Sequence, residues 1–124
     1  WDGAHRFSPQ LPVTIYPGET PQFRMDMCPP AGGWKTAGKL RIQGNEIISQ
    51  ENHYDVWVNG VSLNPTDELN EPYGNPYPPL CGPEGSMRGW IVPHEILKNG
   101  VNHIEIFMEK GTPVKIVFMD LAIQ

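Results

Sequence analysis

The sequence predicts an all-β protein built as a β-sandwich. Three observations carry this. The 124 residues contain 14 prolines and 13 glycines, too many for a helical protein and suited to a chain with many turns. About eight short runs alternate apolar with polar residues or are rich in β-branched and aromatic ones. Between these runs lie turn signals, the clearest being Asn59-Gly60, the two-residue hairpin dipeptide.

Taken in order, Trp1 to Gln10 shows no periodicity and carries Asp2-Gly3 and Ser8-Pro9. We read residues 1–10 as a linker leading into a single domain over 11–124. Leu11 to Tyr16 is a strand with Val13 and Ile15 on one face, and Pro17-Gly18 turns the chain. Gln22 to Cys28 alternates cleanly, with Phe23, Met25 and Met27 set against Arg24 and Asp26. Cys28 to Trp34 is C-P-P-A-G-G-W and must be a loop. Lys39 to Gln43 follows as a strand with Leu40 and Ile42 inward. Tyr54 to Val58 is a further strand, and Val61 to Leu63 returns as its hairpin partner.

Asn64 to Ser86 reads as one long irregular loop, a length that inside a compact domain usually means function or disorder. Trp90, Ile91 and Val92 form a strand that Pro93 stops by removing a backbone donor. His94 to Leu97 has room for one helical turn. Asn99-Gly100 turns the chain into a strand with Val101, Ile104 and Ile106. Val114 to Ile123 is apolar on both faces, with Ile116 and Phe118 on one and Val117, Met119, Leu121 and Ile123 on the other. Such a strand should be central or covered on its second face.

The stretch Met87 to Phe107 reads M-R-G-W-I-V-P-H-E-I-L-K-N-G-V-N-H-I-E-I-F. Its W-x-V-P, L-x-x-G-x-N and alternating strand are Trp90, Val92, Pro93, Leu97, Gly100, Asn102, Ile104 and Ile106. Upstream, V-x-V-N-G-x-x-L is Val56, Val58, Asn59, Gly60 and Leu63. Together these resemble the galactose-binding-like β-sandwich, the fold of sugar-binding domains of glycoside hydrolases. The resemblance covers the chain from about Leu11 at the level of pattern. It implies jelly-roll connectivity with about eight antiparallel strands, which periodicity alone does not supply. It also implies a non-catalytic module that binds carbohydrate.

The net charge of −5 disfavours a nucleic-acid partner, since nothing would release counterions from a phosphate backbone. No apolar run approaches the roughly 20 residues of a membrane span. The chain begins at Trp1 with neither an initiator Met nor a signal peptide, so we expect an excised domain or processed fragment. Cys28 and Cys81 lie far apart without a C-x-x-C, which weakens zinc and redox readings. Both sit beside prolines in loops. In a secreted protein they would form a disulfide; in a reduced cytosol they would stay free thiols.

The long loop is the first candidate site. Tyr73 and Tyr77 each stand next to a proline, which limits the entropy their rings lose on binding. Aromatic faces suit the C–H face of a sugar, and Asn70, Glu71 and Asn75 could hydrogen-bond its hydroxyls. The bland alternative is that both rings pack the loop onto the sandwich. Trp57 alternates with Val56 and Val58 and faces outward if they face in, as a sugar platform or a docking contact. Trp34, in the Gly-rich loop, projects from the sandwich end in this reading. Trp90 matches a position that is core in the resembling family.

Asp67, Glu68 and Glu71 lack the spacing of an EF-hand loop. Asp120, in an otherwise apolar strand, needs a partner if buried. Lys, Arg or a structural calcium, which domains of the resembling fold often hold, could serve; no cofactor is required. His5, His53, His94 and His103 are scattered, and no H-x-x-x-H or G-x-S-x-G occurs, so catalysis has no motif behind it.

The sequence therefore leads to a monomeric, non-catalytic carbohydrate-binding module of an extracellular polysaccharide-degrading enzyme. Its partners would be a plant or algal polysaccharide and the parent catalytic domain. The alternative is an accessory sandwich that packs on the catalytic domain and binds no sugar.

Overall fold

The computed structural model describes residues 4–7 (backbone path only), 11–69 and 85–123. They form a sandwich of two antiparallel sheets, and their only helix is one 3-10 turn. The strands are β1 (Ala4–Phe7), β2 (Val13–Ile15), β3 (Gln22–Met27), β4 (Gly38–Gly44) and β5 (His53–Val58). They continue as β6 (Val61–Ser62), β7 (Asn64–Thr66), β8 (Met87–Val92), β9 (Gly100–Lys110) and β10 (Val114–Ile123). The first sheet runs β1-β10-β4-β8-β7, with β2 also paired to β10. The second runs β3-β9-β5-β6.

The core lies between the sheets and follows from the alternation in the sequence. From the second sheet come Phe23, Met25 and Met27, then Tyr54, Val56 and Val58, then Ile104, Ile106 and Met108. From the first come Leu40, Ile42, Trp90, Val92, Ile116, Met119, Leu121 and Ile123. Tyr54 and Trp90 meet edge to face across it, ring centroids 6.3 Å apart, the arrangement that the ring quadrupoles favour.

The Asn59-Gly60 hairpin forms as expected, with φ of +51° and +81° as a type I′ turn requires. Pro93 ends β8, and His94–Ile96 is the expected single turn, of 3-10 type. The two sequence motifs also meet. The Asn59 side-chain amide donates to Asn102 Oδ1 (2.8 Å) and to the Ile96 carbonyl (2.8 Å). Asn102 is fully buried. It accepts from the Lys98 N–H and donates to the carbonyls of Lys98 and Gly100. A buried amide with every polar atom bonded fixes the turn between the 3-10 segment and β9.

Four features differ from the sequence reading. Ala4–Phe7, inside the stretch read as a linker, pairs with β10 from Ala4↔Ile123 to Phe7↔Asp120. Asn64–Thr66, read as the start of the long loop, is a strand on β8; Pro65 is tolerated because β7 is an edge. Trp34 does not project from the sandwich end. It is 7 % exposed and part of the core cluster, because Gly32 and Gly33, both at positive φ, turn the loop back.

The fourth is β10. The register against β4 shifts between Ile116 and Phe118, so Val117 is an extra residue and the alternation changes parity there. Ile116 therefore shares the core face with Met119, Leu121 and Ile123, and Phe118 points to the other side with Asp120 and Ala122. The strand is interior, between β4 and the β1/β2 pair.

Candidate functional site

On the outer face of the first sheet lies a buried ion pair. Arg41 and Asp120 are register partners on β4 and β10, and both side chains are fully buried. Arg41 Nε donates to Asp120 Oδ1 at 2.8 Å and its Nη2 to Oδ2, closing a bidentate pair. Arg41 Nη1 also donates to the Leu69 carbonyl at 2.7 Å, and Lys39 Nζ to the Glu68 carbonyl at 3.0 Å. The segment Asp67–Leu69 thus folds back over this face. Gly89 on β8 leaves room for it, since a Cβ there would lie 2.7 Å from Leu69 Cδ2. Arginine is among the partners expected for a buried Asp120, and Arg41 meets it in bidentate geometry, tying β4 to β10.

At one edge of the sandwich, Arg88 donates to the Ser49 carbonyl at 2.9 Å, its guanidinium 5.9 Å from the centre of the Tyr54 ring. Asn52 Nδ2 donates to the Tyr54 hydroxyl (3.0 Å) and the Thr112 carbonyl (3.1 Å), and Asn52 Oδ1 accepts from the Thr112 N–H. Burial pushes the Tyr54 hydroxyl pKa up, against the smaller opposing effects of the Asn52 hydrogen bond and the Arg88 charge. A cleft of about 400 Å³ opens here between Gln50, Thr66, Asp67 and Arg88. Its polar groups are largely spent on holding loop to strand.

The outer face of the second sheet is different. On β5, inward Tyr54, Val56 and Val58 leave His53, Asp55 and Trp57 outward. On β9, inward Asn102, Ile104, Ile106 and Met108 leave His103, Glu105, Phe107 and Glu109 outward. Trp57 stands opposite Glu105, and Asp55 opposite Phe107. Trp57 and Phe107 are therefore diagonal neighbours, within reach of each other's rings, and both are half-buried. With Thr20, Glu105 and Gly60 they line a depression of about 340 Å³. Two aromatic faces beside a carboxylate, on rigid strands, can hold a flat ligand that has both an apolar face and hydroxyls.

Of the residues singled out in the sequence, Trp57 is outward as the alternation requires, and Trp34 is buried, its indole N–H without a partner among the described residues. Tyr73, Tyr77, Asn75, Glu71 and Asn70 lie outside the described residues, as does Cys81. Cys28 is exposed and forms no disulfide among the described residues. Phe107 and Glu105 had not been singled out. Their signal was present: Ile104 and Ile106 inward place 105 and 107 outward.

No protein-family model matches the chain, and no curated protein matches it. Solved structures do. One is a β-porphyranase of glycoside hydrolase family 86 from the human gut bacterium Bacteroides plebeius, at 18% identity and a TM-score of 0.63, covering 98% of this chain and 20% of that one. Two structures of BuGH86 in complex with neoagarooctaose are also similar. One, a variant, has 16% identity and a TM-score of 0.60, covering 97% of this chain and 18% of its own. The other, the wild type, has 17% and 0.59, covering 97% and 19%. The chain thus spans about a fifth of these proteins and shares the fold of that part.

Proposed function

We propose that the chain is a non-catalytic carbohydrate-binding module of an extracellular polysaccharide-degrading enzyme, with the sugar seated on Trp57 and Phe107. One observation carries this reading: two half-buried aromatic rings on adjacent strands line a depression beside the Glu105 carboxylate on the outer sheet face. Sugar hydroxyls are well hydrated, so hydrogen bonds to them add little net free energy. Apolar contact with a ring avoids that exchange, and Glu105 fixes orientation by accepting from hydroxyls. Stacking needs no cofactor. The fold shared with a part of glycoside hydrolase chains supports the setting. The loop bearing Tyr73 and Tyr77 is a second sugar contact in this proposal.

The alternative, an accessory sandwich that only packs on a catalytic domain, has lost one support. Phe118, Asp120 and Ala122, on the outer side of the last strand, are already buried within the domain. Affinity electrophoresis of the chain against plant and algal polysaccharides separates the readings. Trp57→Ala and Phe107→Ala should each abolish retardation. Loss in Tyr73→Ala and Tyr77→Ala instead moves the site to the loop. Binding of no glycan by the wild type supports the accessory reading.

A further inference from the structure

We propose that His53, Asp55 and Glu109 form a site for a divalent transition-metal ion of the zinc type. His53 and Asp55 are two residues apart on β5 and so face the same way. Glu109 joins them from β9 through an irregularity in the ladder. The register passes from His53↔Lys110 to Tyr54↔Met108, leaving Glu109 as the extra residue of a bulge. Bulges re-aim a side chain in this manner.

The donor geometry fits a small ion. His53 Nε2 lies 3.4 Å from Glu109 Oε2 and 3.8 Å from Asp55 Oδ1, and the three donor atoms lie within 4.8 Å of one another. Four-coordinate zinc with bonds of about 2.0–2.1 Å places its ligands about 3.4 Å apart. An ion could therefore sit between these donors with small rotamer adjustments, water completing its shell. One imidazole among two carboxylates suits zinc; calcium takes oxygen donors alone. The two carboxylates also repel each other, and a dication relieves this more than a single proton on His53 would.

The other close histidine–carboxylate contact makes a useful contrast. His94 Nε2 and Glu95 Oε1 are 2.7 Å apart, but no third such donor joins them among the described residues, so that pair offers no comparable ligand set. The metal site lies beside the aromatic depression, since Asp55 is the register partner of Phe107, but its argument is independent of sugar binding.

Calorimetric titration of the chain with zinc chloride tests the proposal, followed in parallel by NMR of the imidazole protons. The expected result is one ion per chain, with the His53 resonances shifting or broadening on zinc addition. His53→Ala and Glu109→Gln should each weaken binding by about 10-fold or more, since even outer-shell partners of metal ligands are worth about that much. His94→Ala should leave it unchanged. The three ligands are about half-exposed or more, so their variants should fold, as circular dichroism would verify. Absence of zinc binding overturns the proposal. Binding that survives His53→Ala does so as well, and so do His53 resonances that zinc leaves unmoved.

Discussion

Asp120→Asn keeps the shape of the side chain but removes the charge opposite Arg41. The guanidinium is fully buried and would lose its bidentate carboxylate partner, and breaking a buried pair from one side costs about 3–5 kcal/mol. At about 2.1 cal/mol/K per residue, unfolding 124 residues carries an entropy near 0.26 kcal/mol/K, so each kcal/mol moves the melting temperature by about 4 °C. Asp120→Asn should therefore melt about 12–20 °C below the wild type, followed by circular dichroism at neutral pH. Arg41→Met should fall as far, because it takes the bidentate partner away from a buried carboxylate. The double variant Arg41→Met with Asp120→Leu removes both charges and should recover more than half of either loss. It should not recover all of it, since the Leu69 carbonyl loses its donor. Single variants within about 4 °C of the wild type, or a double variant that loses the sum of both, would refute this reasoning.

Two further outcomes follow from particular residues. Asn102→Ala removes four hydrogen bonds around the turn into β9 and should cost about 3 kcal/mol in a thermal melt, about 12 °C, with sugar binding weakened only if the hairpin shifts. The raised hydroxyl pKa of Tyr54 gives the fold a stability that is fully present below about pH 10, where tyrosine ionises in the unfolded chain. That stability is lost as pH rises from there through the folded-state value. In denaturant titrations Tyr54→Phe should therefore lose less stability than the wild type between neutral and strongly alkaline pH. An equal loss in both proteins would show that Tyr54 is not responsible.

Much of the sandwich was legible because one-sided burial writes itself as alternation. Gln22 to Met27, Tyr54 to Val58 and the Ile104, Ile106 pair each disclosed which face was inward, and with it the outward position of Trp57. Asn59-Gly60, Pro93 and Asn102 were legible because their backbone demands are local. What escaped depends on register or on long-range packing. β1 and β7 are short edge strands with no second period to reveal them, and Pro65 argued against the latter. The extra residue at Val117 reverses the facing of everything before it, and no local feature of Val114 to Ile123 announces it. Trp34 follows a pair of glycines that could lead either way, and the core decided. The closeness of Glu109 to His53 needs the pairing of β5 with β9 and its irregularity, neither of which a single strand encodes.

The central claim is that Trp57 and Phe107 form a sugar platform, and the direct test is affinity electrophoresis of wild type, Trp57→Ala and Phe107→Ala in gels containing each polysaccharide. Both rings are half-buried on the outer sheet face. Their removal should leave the melting temperature within about 4 °C of the wild type, a change of about 1 kcal/mol or less. Losing one stacking ring should cost about 1–3 kcal/mol of binding, by analogy with aromatic anchors at other interfaces, or about 5- to 150-fold in affinity. The account predicts retardation of the wild type by at least one glycan and its loss in both variants. Retardation of both variants equal to that of the wild type would contradict it.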